Sequence, residues 1–216
     1  MSSTTSTSSS LLIDHYNQSE KITAPELIGH ILAANPLNPH DELYHGVLLI
    51  VSHDRGRAVG IQLNNAMKET TIGHVAENIG MDTSMSPDDV INQFLYHGGR
   101  LNHGRINIVH SDDWASPSSS RVADGIFLTS DISVLSAIAS GEGPRYFRAC
   151  AGFCVWENYA LERELDTHLY PNEIRKWETV ASTPELVFDY DGLGQWKQAM
   201  MLSASDSADR CFGDYF

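Results

Sequence analysis

The chain has 216 residues, 42% hydrophobic and 19% charged, which is enough to close one well-filled core and is ordinary for a globular domain. Asp plus Glu number 28 against 14 Lys plus Arg, and the resulting net charge of -14 argues against non-specific binding to a phosphate backbone. Three cysteines, Cys150, Cys154 and Cys211, are too few and too unevenly placed for a secreted disulfide framework and point to a reducing, cytoplasmic setting.

Residues 1–26 read as a disordered tail and lead-in. Ser2 to Ser10 is entirely Ser and Thr, with no apolar surface to offset the entropy of ordering and none of the basic and apolar regions of a signal peptide. The LLI at Leu11 to Ile13 is a candidate docking element. The domain proper is expected over residues 27–202, with no linker inside it. Its longest clearly apolar run, Val47 to Val51, is far short of the roughly 20 residues that cross a bilayer, so no membrane is expected.

Within the domain the hydrophobic period keeps switching. HILAAN, GVLLIVSH, AVGIQLN, QFLYHG, INIVHS, GIFLTS and FRACAGFCVW are short and rich in β-branched or aromatic residues, and they read as strands. TIGHVAENIG reads as a helix with Ile72, Val75, Ala76 and Ile79 inward and Gly80 as its stop. SDISVLSAIASGEG repeats the design, with Ser130 as N-cap, Asp131 favouring the dipole, Ile132, Leu135 and Ala139 inward and Gly141 ending it. ENYALERELDTHL and GLGQWKQAMML complete the helices. Strands with helices inserted irregularly indicate an α+β fold on a curved mixed or antiparallel sheet. Residues 203–216 read as a polar spacer, Ser203 to Arg210, and an aromatic tail, CFGDYF. That tail is expected to dock on the chain's own body or on a protein partner.

Four places carry residues capable of chemistry. Cys150 and Cys154 are four apart, which on an unbroken strand puts both thiols on one face. Their apolar neighbours make packing the plain reading, with a thiol pair or metal ligation as alternatives. His53, His97, His103 and His110 stand beside turns or acids, but without the i, i+4 helical pairing of a zinc protease. Gly98-Gly99-Arg100 follows a strand and reads as an exposed tight turn where amides, Arg100 and Arg105 hold a small anion, or as a plain hairpin. Trp156 marks a strand-to-helix corner, where an indole usually buries its ring and donates one hydrogen bond.

RYFRACAGFCVWENYALEREL (Arg145 to Leu165), read with LIGHILAANP, VGIQLNN, YHGGRLNHG and DGIFLTSDISVLSAIASGEGP, resembles the bacterial AlgH/YqgE family. The resemblance implies a bent sheet folded into an open pseudo-barrel with helices packed outside, and a surface groove beside the glycine turns and Trp156. It implies no particular reaction, although members are often described as transcriptional regulators. The family's Gly-Leu-Val-Ile-Asn-Arg-Pro stands here as Gly60 to Ala66, keeping Gly60 and Asn64 but losing Arg-Pro. Its Gly-Gly-Pro becomes Gly98, Gly99, Arg100, and its Gly-Tyr-Ala-Gly-Trp becomes Gly152, Phe153, Cys154, Val155, Trp156. The following Gly-Gln-Leu-Glu becomes Tyr159, Ala160, Leu161, Glu162, so added bulk is expected to reshape the groove.

The candidate ligand-binding residues are therefore Asn64, Gly98, Gly99, Arg100, Arg105, Cys154 and Trp156, with no catalytic residue, metal or cofactor assigned. The first functional reading is a non-enzymatic cytoplasmic binding or regulatory module acting through a protein partner. The second is a thiol-based redox or small-molecule-processing protein using Cys154. The weakest is direct nucleic-acid binding through Arg100, Arg105, Arg145 and Arg148, since no helix-turn-helix, zinc finger or basic stripe is present.

Overall fold

The computed structural model describes residues 26–37, 43–54, 56–165 and 175–213. Of the tail and lead-in expected over residues 1–26, all but Glu26 lies outside these, the docking element included. In chain order the elements are β1 (His30–Ala34), β2 (Val47–Asp54), β3 (Arg57–Gln62), β4 (Ala66–Thr71), α1 (Ile72–Asn78), α2 (Asp88–Ile91), β5 (Phe94–His97) and β6 (Leu101–Ser111). There follow β7 (Ser120–Ala123), β8 (Ile126–Thr129), α3 (Ser133–Ala139), β9 (Phe147–Trp156), α4 (Ala160–Leu165), β10 (Trp177–Ala181), α5 (Pro184–Phe188) and α6 (Gly192–Gly213).

Eight strands run β10-β1-β2-β3-β9-β6-β8-β7, each antiparallel to its neighbour, and the sheet curls into an open half-barrel. β4 pairs with β5, which lies parallel to β9, so the sheet is mixed as well as bent. Both faces are covered, which explains why the β2 sequence is continuously apolar rather than alternating. Val47 and Leu49 point into one cluster, and Leu48 and Ile50 into another. The first cluster draws on strands from β10 round to β8 and is the barrel interior, sealed by Leu186 and Val187 of α5 and Ala199 of α6. The two outer clusters each cover half of the sheet. One lies against Leu161 of α4, the other against Ile72 and Val75 of α1 and Val134, Leu135 and Ile138 of α3.

Several local expectations are corrected. Thr71 caps α1, which ends a residue early, so Ile79 becomes the C-cap and is 46% exposed rather than inward. α3 starts at Ser133, with Ile132 at the N-cap position and 49% exposed. Its first amide is held by the Asp131 carboxylate at 2.9 Å, and Ser130 is used elsewhere. The Ser133 amide, with the hydroxyls of Ser133 and Ser118, lowers the Asp131 pKa. Ser203 to Arg210 is no spacer: α6 runs through it to Gly213, with Ser203 buried. CFGDYF therefore begins inside a helix, and its last three residues lie outside the described ones. No described helix is long and apolar enough to cross a membrane.

Candidate functional site

β9 organises everything that follows, because a slip divides it in two. Ala149 and Ala151 face the outer cluster of α1 and α3, while Cys150 faces the interior. A regular strand would place Phe153 outside and Cys154 inside. Gly152, at φ 79°, breaks the period instead, so Phe153 packs on the interior, and Cys154 and Trp156 join the outer cluster of α4. Cys150 and Cys154 therefore lie on opposite faces, which corrects the expectation of a thiol pair on one face. Burial pushes the Cys150 thiol up to about 12, against a smaller lowering by Arg148.

The slip accommodates a crossing. β5 and β6 both register with Cys150 and Ala151 and so occupy opposite edges of β9, and the chain between them must pass over it. It does so at Gly98 and Gly99, which are buried, so the expected exposed hairpin turn is an over-crossing. A Cβ on Gly99 would stand 2.1 Å from the Phe153 carbonyl carbon and 2.4 Å from the Cys154 nitrogen. One on Gly98 would stand 2.4 Å from the Gly152 oxygen. Close backbone approach is the physical requirement for glycine at both positions. The crossing is fixed by Gly98 N–H to Ala151 O at 2.7 Å and Gln62 N–H to Gly98 O at 2.8 Å.

Outside the barrel, a groove of about 420 Å³ opens beside the crossing, lined among others by Arg100, Leu101, Cys154, Trp156, Glu164 and Trp177. Trp156 and Trp177 meet edge to face, with ring centroids 6.1 Å apart and planes at 84°. The Glu164 carboxylate ties them together. Its Oε2 accepts from the indole N–H of Trp156 at 2.9 Å and of Trp177 at 2.7 Å, and its Oε1 accepts from Lys176 Nζ at 2.9 Å. Trp156 is buried, its ring lying over Gly60. The corner beyond it turns through two left-handed residues, Asn158 at φ 54° and Tyr159 at φ 59°, the latter standing where the resembled family carries glycine.

Inside the barrel, at its open mouth, a second cavity of about 240 Å³ takes one or more residues from each of β2, β3, β6, β8 and β9. Its walls are Val51, Val59, Ile61, Leu128 and Phe153, with Arg57 and Arg105 also lining it. Arg57 pairs with Glu157 at 2.9 Å on the surface. Asn107, buried beside these apolar walls, donates to Gly152 O at 3.0 Å and accepts from the Ser130 hydroxyl at 2.8 Å. Ser130 in turn accepts from Arg105 Nη2 at 3.1 Å.

The structure thus gathers Arg100, Cys154 and Trp156 in the outer groove, sets Gly98 and Gly99 at the crossing, and puts Arg105 at the inner mouth. Asn64 belongs to neither. Its amide accepts from Val47 N–H at 3.0 Å and donates to His45 O at 2.8 Å and Gly192 O at 3.0 Å, which clamps β2 to the start of α6. Sequence reasoning missed Trp177 and the adjacent Lys176 because β10 was not read as a strand, and it missed Glu164 because that residue, although on a helix that was read, meets its indole partners only through the fold. It also missed Asn107, whose signal was a lone amide amid the apolar residues of INIVHS.

Of the four histidines singled out in the sequence, two are engaged in hydrogen bonds and two are exposed. Leu27 N–H donates to His53 Nδ1 at 3.3 Å, which leaves Nε2 as donor to Glu162 Oε1 at 3.0 Å. His110 is fully buried between Ser111 O and the Ser119 hydroxyl, and burial lowers its pKa. His97 and His103 are exposed. Among the described residues no group of three His, Cys, Asp or Glu is placed to hold a metal ion. Of the four arginines weighed as a weak nucleic-acid patch, Arg148 is not available at the surface. Arg148 is buried, donating to Val187 O at 2.7 Å, to Leu63 O at 3.0 Å and to Tyr190 O, with its guanidinium 4.9 Å from the Tyr96 ring centroid.

A family model described as AlgH-like matches residues 31–208. A UPF0301 protein from Novosphingobium aromaticivorans is 30% identical over 185 residues, covering 86% of this chain and 94% of that protein. One from Stenotrophomonas maltophilia is 32% identical over 178 residues, covering 82% and 89%. The solution structure of the AlgH protein from Pseudomonas aeruginosa superposes with a TM-score of 0.67 at 23% identity, covering 84% of this chain and 91% of that one. An X-ray structure of a protein from Corynebacterium diphtheriae gives 0.61 at 19%, covering 82% and 87%. Both structural likenesses bear on the fold alone.

Proposed function

The chain belongs to the AlgH-like family, and on that premise we propose that it is a binding module that engages a protein partner across the groove of Trp156 and Trp177. The observation that carries this reading is the state of Glu164. With both indole N–H groups and Lys176 bonded to it, the carboxylate serves to hold the groove floor rigid. General acid or base work asks instead for a group within reach of a substrate proton. At the rim, half-exposed Leu101 beside charged Arg100 and Glu157 gives the mixture of apolar anchor and polar edge typical of protein interfaces. The net charge of -14 also favours protein over nucleic acid as the partner. A cytoplasmic setting is part of the same proposal, and a regulatory effect of this chain would run through the captured partner.

The test is capture from native lysate by the immobilised chain, beside Arg100→Glu and Leu101→Asp variants whose melting temperatures match the parent. Loss of a specific protein from both variants is the expected result. Identical capture by all three would remove the groove from the account. A second reading draws on Cys154, because this thiol lines the groove. Iodoacetamide labelling separates the two: Cys154 is buried, so slow labelling until denaturation is expected, and fast labelling of the native chain would favour thiol chemistry.

A further inference from the structure

We propose that the mouth of the half-barrel is a binding site for a small amphipathic carboxylate, distinct from the outer groove. The geometry has three parts. First, the cavity has an apolar body, with Val59, Leu128 and Phe153 among its walls, and its volume of about 240 Å³ has room for about eight water-sized groups. Barrel mouths with an apolar lining and a few converging polar groups are a common setting for small-ligand sites.

Second, two cations converge on this one cavity in a chain that carries 14 Lys plus Arg against 28 acids. Arg57 already bonds Glu157, and both are more than half exposed, so that contact is exchangeable with a ligand carboxylate in water. Arg105 bonds only the Ser130 hydroxyl among the described residues, which leaves most of its planar fork of donors for an anion.

Third, Arg105 is held in place. Gly152 O, Asn107, Ser130 and Arg105 form one hydrogen-bonded series running from the barrel wall to the mouth. A buried amide in an apolar interior costs stability unless it is fully bonded, and here its bonds end on the hydroxyl that orients a guanidinium. The carboxylate meets Arg105 bidentately, with Arg57 beside it, and the hydrocarbon lies inward against Phe153 and Leu128.

Sodium hexanoate is the probe, added to the full chain and compared with sodium chloride at equal ionic strength. A ligand that binds only the folded state raises the melting temperature with concentration, and that dependence yields its dissociation constant. The expected result is a saturable rise for the parent, a dissociation constant at least tenfold weaker for Arg105→Gln, and no rise with hexanol, which keeps the chain but lacks the charge. Arg105 is exposed, so the unliganded variant should melt with the parent; Arg57→Gln gives a second reading at the other cation, with weakening again expected. No rise in the parent, or equal rises for hexanol or for both variants, overturns the proposal. Because the outer groove takes no part, the proposal can fail while partner capture succeeds, and the reverse.

Discussion

The two cavities lie on opposite faces of the same short stretch of β9 and treat their charged groups in opposite ways. In the outer groove, the Glu164 carboxylate takes three donors at 2.7 to 2.9 Å and is used up in building the floor. At the inner mouth, Asn107 and Ser130 spend their bonds on orienting Arg105, whose side chain lines the cavity. A satisfied polar cluster gives rigidity, and a supported but unsatisfied cation gives recognition. The outer site is thus suited to a large partner that needs a firm surface, and the inner one to a small anion.

The largest effect is expected on removing the groove floor. Trp156→Ala should lower unfolding stability by about 3 to 5 kcal/mol in denaturant titration, the range for deleting a large buried aromatic. A near-normal midpoint would mean the indole is a binding surface only. Next comes the crossing that separates the sites. Gly99→Ala pushes a Cβ into the β9 backbone and should cost about 3 kcal/mol, the upper end of over-packing penalties. A gain in stability, as expected where glycine is merely flexible, would refute the steric account.

A third effect is confined to alkaline pH. Below about pH 8.5 the Cys150 thiol is protonated whether the chain is folded or not. Above that, the unfolded chain loses the proton while the folded one, with its pKa pushed up to about 12, keeps it. Stability should therefore fall as pH rises through this window, and Cys150→Ala should make the fall shallower. Equal slopes for the two proteins would place this thiol outside the interior. Smallest is Ser130→Ala, which takes a donor from Asn107 and the anchor from Arg105. It should cost about 1 kcal/mol of stability while weakening hexanoate more than it weakens the fold.

Much of this architecture was legible in the sequence, for identifiable reasons. Strands such as GVLLIVSH and GIFLTS announce themselves because their apolar content is dense and local. Family landmarks at Gly98, Gly99, Gly152 and Trp156 mark the crossing, although not that it is one, since only the approach of β9 shows why a Cβ has no room. β4, with two exposed and no fully buried residues, carries no apolar signal, and β10 reads poorly as WETVA. The reversal at Gly152 was invisible because strand periodicity presumes an unbroken pleat. Arg105 was singled out, but its partners Asn107 and Ser130 lie 2 and 25 residues away and meet only through pairing of β6 with β8.

Nuclear magnetic resonance on the full chain, titrated with hexanoate, tests most directly the claim that Gly152 divides β9 into an inner anion site and an outer groove. The methyls of Val51, Val59, Ile61 and Leu128 report the mouth, and the indole N–H signals of Trp156 and Trp177 report the groove. The account predicts that the methyls shift saturably while both indole signals stay in place. Shifts at the indoles without shifts at the methyls would contradict it.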